Sequence, residues 1–330
     1  MEPLAPVVRL LFEFIAVAFK PVLFAFTTTL LLPAGELVLV VNIILLLLLL
    51  FKDSVTSLFK RIMDFNDEEE KDHTGKLFEL QTVQSHSFKT LFEVLKDVLT
   101  DVNIIFDETG IKIMAMDGNH VALIHLKLEA ENFEYFYCKE KTMIGVCMMS
   151  FYKLMKTVSN SDTVTMFMSE DNTDQLHISI RNAEKNSMTN FSLKLLDIDE
   201  EELSIPDVDI DCIVTMNSNE FQKLCRDVTN LSDTIRITSE GNTITFSAEG
   251  DFANQKTMIG ETSHGLSFSK HTEHFISAEY SLKYINLFTK STNLCNTIQL
   301  YMKRDYPLIL EYSVGNLGTI RFCLAAKAED

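Results

Sequence analysis

The sequence predicts an α+β protein in which one unit of short helices and antiparallel strands occurs twice. The first observation behind this prediction is a helical pattern that returns after 133 residues, from Phe88 to Phe221. The second is a series of short, alternating strands bounded by turns. Both patterns lie after an N-terminal region of different composition, so the chain divides into an apolar head (residues 1–63), an acidic linker (64–76) and a patterned body (77–330).

The helices are predicted by apolar residues that recur at steps of three and four. In the first copy they are Phe88, Leu91, Leu95 and Val98, and in the second Phe221, Leu224, Val228 and Leu231. This spacing places one apolar stripe along an amphipathic helix. A second short helix is expected in each copy, marked by Phe151, Leu154 and Val158 and by the segment YSLKYINLFTKST at 280–292. The sequence thus predicts four short helices.

The strands are predicted by alternation of apolar and polar residues. The segments NIIFDETGIKIMAMD (103–117) and TIRITSEGNTITFSAEG (234–250) each read as a strand, an acidic turn with a glycine, and a second strand. Few strands are long uninterrupted apolar runs, which disfavours the parallel sheet of a doubly wound enzyme. Antiparallel sheets in two similar domains, 77–195 and 209–330 with a connector at 196–208, are the prediction.

The apolar head is open to three interpretations. Between residues 21 and 51 the only charged side chain is Glu36, and residues 45–50 are all leucine. The uninterrupted stretch 37–51 reaches only about 22 Å as a helix, short of a hydrocarbon core of roughly 30 Å. The head is therefore a membrane anchor, a targeting segment, or sequence outside the native protein if translation starts at Met63.

Composition and motifs argue against catalysis. The formal charge of -18 disfavours a protein that binds nucleic acid through an overall positive charge. Net charge does not exclude binding through basic residues gathered on one face. The six cysteines form no C-x-x-C pair, which favours a reducing compartment without disulfides or zinc. No nucleotide-binding, hydrolase or metalloprotease motif occurs. We expect no catalytic residues, metal or cofactor.

Basic residues recur on all four predicted helices. They are Lys89 and Lys96, Lys153 and Lys156, Lys223 and Arg226, and Lys283 and Lys290. Spacings of three or seven put both members of a pair on one side of a helix. Any one pair is explained by a solvated helix face, but four pairs in an acidic body predict a single positive surface if the helices lie side by side.

Five segments resemble one protein family. They are IKIMAMDGNHVALIHLKL (111–128), LKLLDIDEEELSIPD (193–207), NEFQKLCRDVTNLSD (219–233), YSLKYINLFTKST (280–292) and the ending FCLAAKAED (322–330). They are similar, in register from about residue 77 to the end, to the eukaryotic-type DNA sliding clamp, proliferating cell nuclear antigen. Several long collinear segments make the resemblance specific.

The resemblance implies a homotrimeric ring around duplex DNA, with helices lining the hole and sheets outside. Its DNA-facing residues, carried over by position, are Lys89, Lys96, Lys153, Lys156, Lys223, Arg226 and Lys290, with Lys283 a weaker candidate. They would contact phosphate without reading sequence. Family members close the ring by pairing edge strands, which here are about 188–194 and 255–260.

The resemblance also implies a groove beneath the connector that docks DNA polymerase, the clamp loader, and nuclease and ligase clients. By position it uses Met116, His120, Val121, Leu123, Leu203, Ile205, Pro307 and Ala325. An apolar groove with a methionine suits short aliphatic and aromatic anchors. The chain departs from the family at Cys323, at Ala326, and in the turn 239–242, which lacks the lysine that eukaryotic clamps modify.

Three functions compete at this point. The first is a polymerase processivity factor that also serves repair, placed in the nucleus, or at a viral replication site if the gene is viral. The second is an enzyme, which the missing motifs disfavour. The third is a membrane-tethered interaction protein that keeps the clamp fold without forming a ring, and the apolar head is the feature that would favour it.

Overall fold

The computed structural model describes residues 75–199, 203, 208–263, 265–270 and 275–328, which lie within one compact unit, Thr74–Asp330. The apolar head and all but the last two residues of the predicted linker lie outside the described residues, so the three interpretations of the head stay open. Among the described helices, none combines the length and the apolar character needed to cross a membrane.

The first half of the described chain contains two α-helices and nine strands. The strands are β1 (Lys76–Thr82), β2 (Asp101–Asp107), β3 (Gly110–Met116), β4 (Ala122–Glu129), β5 (Tyr135–Cys138), β6 (Thr142–Cys147), β7 (Asp162–Ser169), β8 (Asn172–Asn182) and β9 (Ser187–Lys194). Helix α1 is Ser85–Val98 and helix α2 is Met148–Met155, and a short 3-10 helix covers Ala130–Asn132.

The second half repeats this order of elements. Its strands are β10 (Cys212–Asn217), β11 (Thr234–Glu240), β12 (Thr243–Glu249), β13 (Asn254–Gly260), β14 (Ser267–Lys270), β15 (Ile276–Ser281), β16 (Thr297–Met302), β17 (Leu308–Val314) and β18 (Gly318–Leu324). Helix α3 is Ser218–Thr229, helix α4 is Leu282–Phe288, and a 3-10 helix (Thr289–Asn293) continues α4. The predicted α+β, antiparallel, duplicated fold is confirmed.

The strands form three antiparallel sheets whose orders reveal the duplication. The five-stranded sheet runs β5-β1-β7-β8-β9, and the four-stranded sheet runs β13-β12-β11-β15. The nine-stranded sheet runs β14-β10-β16-β17-β18-β4-β3-β2-β6. Its first five strands are the second-half counterparts of the five-stranded sheet, and its last four are the first-half counterparts of the four-stranded sheet. The two halves are therefore joined where β18 pairs with β4, and we call this pairing the joint.

The helices bury the stripes that their periodicity predicts, with corrections at their ends. In α1, Phe88, Leu91 and Leu95 are fully buried. Val158 and Leu231 lie beyond the last residues of α2 and α3, so the predicted stripes run past the helices. Lys283 and Lys290 do not share one helix as their spacing suggested, because α4 ends at Phe288 and Lys290 lies on the 3-10 helix.

Local chemistry explains where α3 begins. The side chain of Asn217 accepts hydrogen bonds from the backbone N–H of Asn219 (2.9 Å) and of Glu220 (3.2 Å), which would otherwise lack helical partners. Glu220 also lies in the first turn, where a carboxylate suits the positive end of the helix. Burial of Phe221, Cys225 and Val228 along one side of α3 leaves the opposite side exposed.

Candidate nucleic-acid interface and docking surface

The four helices form one continuous layer. Helix α1 lies next to α2 and α4, and α4 lies next to α3, so the order across the layer is α2, α1, α4, α3. Between them, these helices, Lys156 directly after α2, and Lys290 on the 3-10 helix carry eight basic side chains and four acidic ones, Glu93, Asp97, Glu220 and Asp227. The layer thus has a net charge of +4 on a chain of net charge -18. The helices thus lie side by side, which is the condition under which the sequence predicts that the basic pairs form one positive surface.

The predicted DNA-facing residues differ in solvent exposure and in whether their charged groups already have a partner in the protein. Lys153, Lys156, Lys223 and Arg226 are exposed, and none of them forms an ion pair with another described residue. Lys89 is half-buried, and its ammonium group donates a hydrogen bond to the carbonyl oxygen of Val158 (2.9 Å). Lys283 on α4, the weaker candidate, is also exposed and makes no ion pair with another described residue, and its ammonium group lies 5.9 Å from the centre of the Tyr284 ring. Among the other predicted DNA-facing residues, the unengaged cations are therefore those on α3 and those on or directly after α2.

A carboxylate that sequence reasoning missed engages two of the predicted DNA-facing lysines. Asp97 Oδ1 lies 2.6 Å from Lys96 Nζ, and Asp97 Oδ2 lies 2.5 Å from Lys290 Nζ. Lys96 Nζ also lies 4.8 Å from the centre of the Tyr152 ring. Burial acts to raise the pKa of Asp97, but the hydrogen bonds from Lys290 and Lys96 outweigh it, and that pKa lies below its usual value. The carboxylate is therefore charged at neutral pH.

On the outer face of the nine-stranded sheet, residues of four neighbouring strands form a row that we call the outer row. Met116 opposes Leu123, Leu123 opposes Cys323, and Cys323 opposes Ile309. Residues directly opposite one another on antiparallel strands point to the same face. The row crosses the joint, so both halves contribute to one mostly apolar strip.

Most of the predicted groove residues gather around the outer row. Met116 is 44% exposed, and its sulfur lies 3.4 Å from Nδ1 of His120, a residue with positive φ in the turn before β4. The backbone N–H of Ala325 donates to the carbonyl oxygen of Val121 (3.1 Å). Pro307 comes just before β17, where Leu308 opposes Leu324, so it lies level with Ala325 across the β17–β18 pair.

The connector is described only in part. Leu196 donates its backbone N–H to the carbonyl oxygen of Gly145 on β6 (2.8 Å), which brings the first residues of the connector alongside the nine-stranded sheet. Leu203 is 36% exposed, and the predicted groove residue Ile205 lies outside the described residues. The sequence prediction did not include Ile309, which alternation along β17 places in the outer row.

Residues 77–203 match the N-terminal domain of proliferating cell nuclear antigen, and residues 204–327 match its C-terminal domain. The chain belongs to the proliferating cell nuclear antigen family of DNA sliding clamps. A relative in Paramecium bursaria Chlorella virus 1, described as a probable DNA polymerase sliding clamp 1, is 36% identical over 259 residues. That similarity covers 77% of this clamp and 98% of the relative.

In this clamp, a buried hydrogen-bond network ties the turn beside the groove to the helical layer. Tyr284 on α4 donates its hydroxyl proton to Asp117 Oδ2 (2.8 Å), and the side-chain amide of Asn119 donates to the Tyr284 hydroxyl oxygen (2.9 Å). Asp117 Oδ1 accepts the backbone N–H groups of Val121 (2.8 Å) and Ala122 (2.7 Å). Burial acts to raise the pKa of Asp117, but the hydrogen bonds that its carboxylate accepts act in the opposite direction and outweigh burial. The pKa of Asp117 therefore lies below its usual value.

Two thiols of the clamp, Cys225 and Cys323, are poor nucleophiles. All six cysteines are free. Burial raises the pKa of Cys225 to about 12 and that of Cys323 to about 11, so both are protonated at neutral pH. Within the part of the chain that the structure describes, no three His, Cys, Asp or Glu side chains come together in a way that could hold a metal ion.

Proposed function

We propose that this chain is a DNA polymerase processivity factor that assembles, as three copies, into a closed ring around duplex DNA. The observation that carries the proposal is the joint between β18 and β4. The counterparts of these two strands, β9 and β13, each end a sheet among the described strands. Each copy thus has a free edge at β9, the counterpart of β18, and another at β13, the counterpart of β4. Pairing β9 of one copy with β13 of the next repeats the joint between chains. Such head-to-tail contacts close into a ring when the rotation between copies permits.

The register of the joint supports this pairing. The strand pair β8–β9 can be aligned with β17–β18, and β12–β13 with β3–β4, so that the residues facing the core coincide. Met188 then occupies the position of Thr319, and Met258 occupies the position of Lys127. Thr319 opposes Lys127 in the joint. Met188 of one copy would therefore oppose Met258 of the next. Each of these methionines is 64% exposed in the single chain, so the contact would remove apolar surface from water.

A cavity beside β9 supports the same contact. It has a volume of about 250 Å³ and is lined by residues that include Asn182, Lys185 and Phe191. The turn between β8 and β9 borders this cavity, and its counterpart in the second half is the turn between β17 and β18. Near the joint, the start of α1 contacts that second turn, because the side-chain oxygen of Gln84 accepts the backbone N–H of Asn316 (3.0 Å). The counterpart of α1 is α3, so the start of α3 from the next copy would enter the cavity. There Glu220 would approach Lys185, a pair of opposite charge.

The helical layer supplies the contact to DNA. Its predicted DNA-facing residues are Lys89, Lys96, Lys153, Lys156, Lys223, Arg226 and Lys290. Lysine and arginine contacts to phosphate carry no sequence information, which suits a protein that must move along any duplex. The acidic remainder of the chain disfavours DNA on the outside of the ring.

The outer row and its surroundings form the proposed docking groove for DNA polymerase, the clamp loader, and nuclease and ligase clients in replication and repair. Exposed Met116 and half-buried Leu123 offer an apolar strip to short aliphatic and aromatic anchors. Because the relative described above is viral, we place this clamp at a viral replication site. A nuclear location, which the resemblance also implies, belongs to the same proposal.

Loading on circular DNA tests the proposed function. The full chain is loaded by a clamp loader onto nicked circular duplex, and the retained protein is measured before and after one restriction cut. We expect a trimer in sedimentation analysis and loss of the protein from DNA after the cut, because only a topologically linked ring slides off new ends. A monomer at micromolar concentration, or equal retention on circular and cut DNA, would contradict the proposal.

A further inference from the structure

Asp97 stands out among the acids of the helical layer because it contacts two of the cations proposed to face DNA. Its two oxygens each accept a short hydrogen bond, from Lys96 Nζ (2.6 Å) and from Lys290 Nζ (2.5 Å). Lys96 precedes Asp97 on α1, whereas Lys290 comes from the 3-10 helix of the second half. The three side chains thus form one cluster, the Asp97 cluster, at the centre of the layer, where α1 meets the second half.

The geometry limits what these two lysines offer to a phosphate. The ammonium group of Lys96 is held between Asp97 and the face of the Tyr152 ring, and its side chain is only 15% exposed. Lys290 is 47% exposed, but its ammonium group is also directed at Asp97. The cluster carries a net charge of +1 instead of the +2 of two free lysines. A cation already paired with a carboxylate gains less from a phosphate and releases fewer counterions on binding DNA.

We infer that Asp97 is a built-in counterion of the DNA-facing layer, which withholds Lys96 and Lys290 from the phosphates and weakens the contact between ring and duplex. The inference rests on the proposed function and adds a regulatory residue to it. Contact then comes chiefly from Lys153, Lys156, Lys223 and Arg226, which are exposed and make no ion pair with another described residue. A weak contact allows a ring held by topology to slide instead of stopping.

The test compares Asp97→Asn with a charge-matched control, Asp227→Asn. Asp227 is an exposed acid on α3 that makes no ion pair with another described residue. Both substitutions remove one negative charge from the helical layer, but only Asp97→Asn releases lysines. The full chain is titrated into a fluorescent duplex, and the association constant is measured by anisotropy at several salt concentrations. The readout is the slope of log K against log salt concentration.

We expect Asp97→Asn to bind the duplex more tightly at low salt and to show a steeper slope. Each released lysine that reaches a phosphate adds about -0.9 to the slope. Over a fourfold rise in salt concentration, the affinity of the variant should therefore fall further than that of wild type, by about 3.5-fold for one such lysine and about 12-fold for two. Asp227→Asn should change affinity through overall charge with little change in slope. In the triple variant Asp97→Asn, Lys96→Gln, Lys290→Gln the added slope should disappear.

The outcomes separate this inference from the proposed function. Equal slopes for Asp97→Asn and Asp227→Asn, with wild type binding in a salt-dependent way, would overturn the inference and leave the clamp proposal standing. An added slope that persists in the triple variant would also overturn it, because the gain would then not come from Lys96 and Lys290. Wild-type protein with no salt-dependent binding at all would contradict the proposed function itself.

Discussion

Replacing Met188 by threonine should weaken the ring without unfolding the chain. Full burial of a methionine side chain is worth about 1.5–3 kcal/mol. Met188 is 64% exposed in the single chain, so burying that exposed surface against Met258 of the next copy in the proposed ring would contribute roughly two thirds of that value, about 1–2 kcal/mol. Such a loss weakens each interface about 5- to 30-fold. Threonine suits a strand, so β9 itself should persist.

The assay is mass photometry of the full chain over a dilution series. Wild type should remain trimeric at concentrations at which Met188→Thr falls apart, and Met258→Thr should behave alike. Met116→Thr is the matched control, because Met116 is also a partly exposed methionine at a strand position but lies on the outer row, on a strand paired on both sides. If Met188→Thr and Met116→Thr dissociate at the same concentration as wild type, the register deduced from the joint is wrong.

Three further predictions concern the other features. Tyr284→Phe removes the hydroxyl that donates to Asp117 (2.8 Å). Because hydrogen bonds to charged groups are the stronger ones, it should lower the free energy of unfolding in urea by about 1.5–3 kcal/mol; an unchanged midpoint would refute a role for this bond. The folded-state pKa of Asp117 is depressed, so its contribution to stability is complete above about pH 4 and is lost as the pH falls further. Asp117→Asn should therefore show a smaller loss of stability between about pH 4 and 2 than wild type in acid titrations followed by circular dichroism. Lys153→Gln should reduce duplex affinity and make the salt slope shallower by about 0.9 for each phosphate that the side chain no longer neutralises, with unchanged thermal melting; a wild-type slope would remove Lys153 from the DNA-facing set.

The helical periodicity predicted much of the fold because burial repeats locally. Phe88, Leu91 and Leu95 are buried along α1 as their spacing required, and Phe221 and Val228 are buried along α3. The helix ends were predicted less well. Val158 and Leu231 are apolar and in phase with the stripes, but each lies beyond its helix. Val158 is nonetheless buried, because apolar residues pack against the core from turns as well as from helices.

What the sequence could not provide was contact between distant residues. Asp97 and Lys290 are 193 positions apart, and nothing in the order of residues indicates that they share a hydrogen bond. The same holds for Asp117 and Tyr284, which are 167 positions apart. The groove residues could be carried over from the family resemblance, but the place of Cys323 and Ile309 in one row required the register across β4, β18 and β17.

The joint also has a mechanical consequence. In a ring built by repeating it, the β9–β13 pairing between chains would have nearly the same register as the β18–β4 pairing, but only the β18–β4 pairing connects segments of one polypeptide. Separating β18 from β4 would tear the nine-stranded sheet within a single chain, whereas separating β9 from β13 would detach one chain from its neighbour and leave every sheet of either chain whole. In the proposed ring, covalent connectivity would therefore decide where the ring opens to admit DNA.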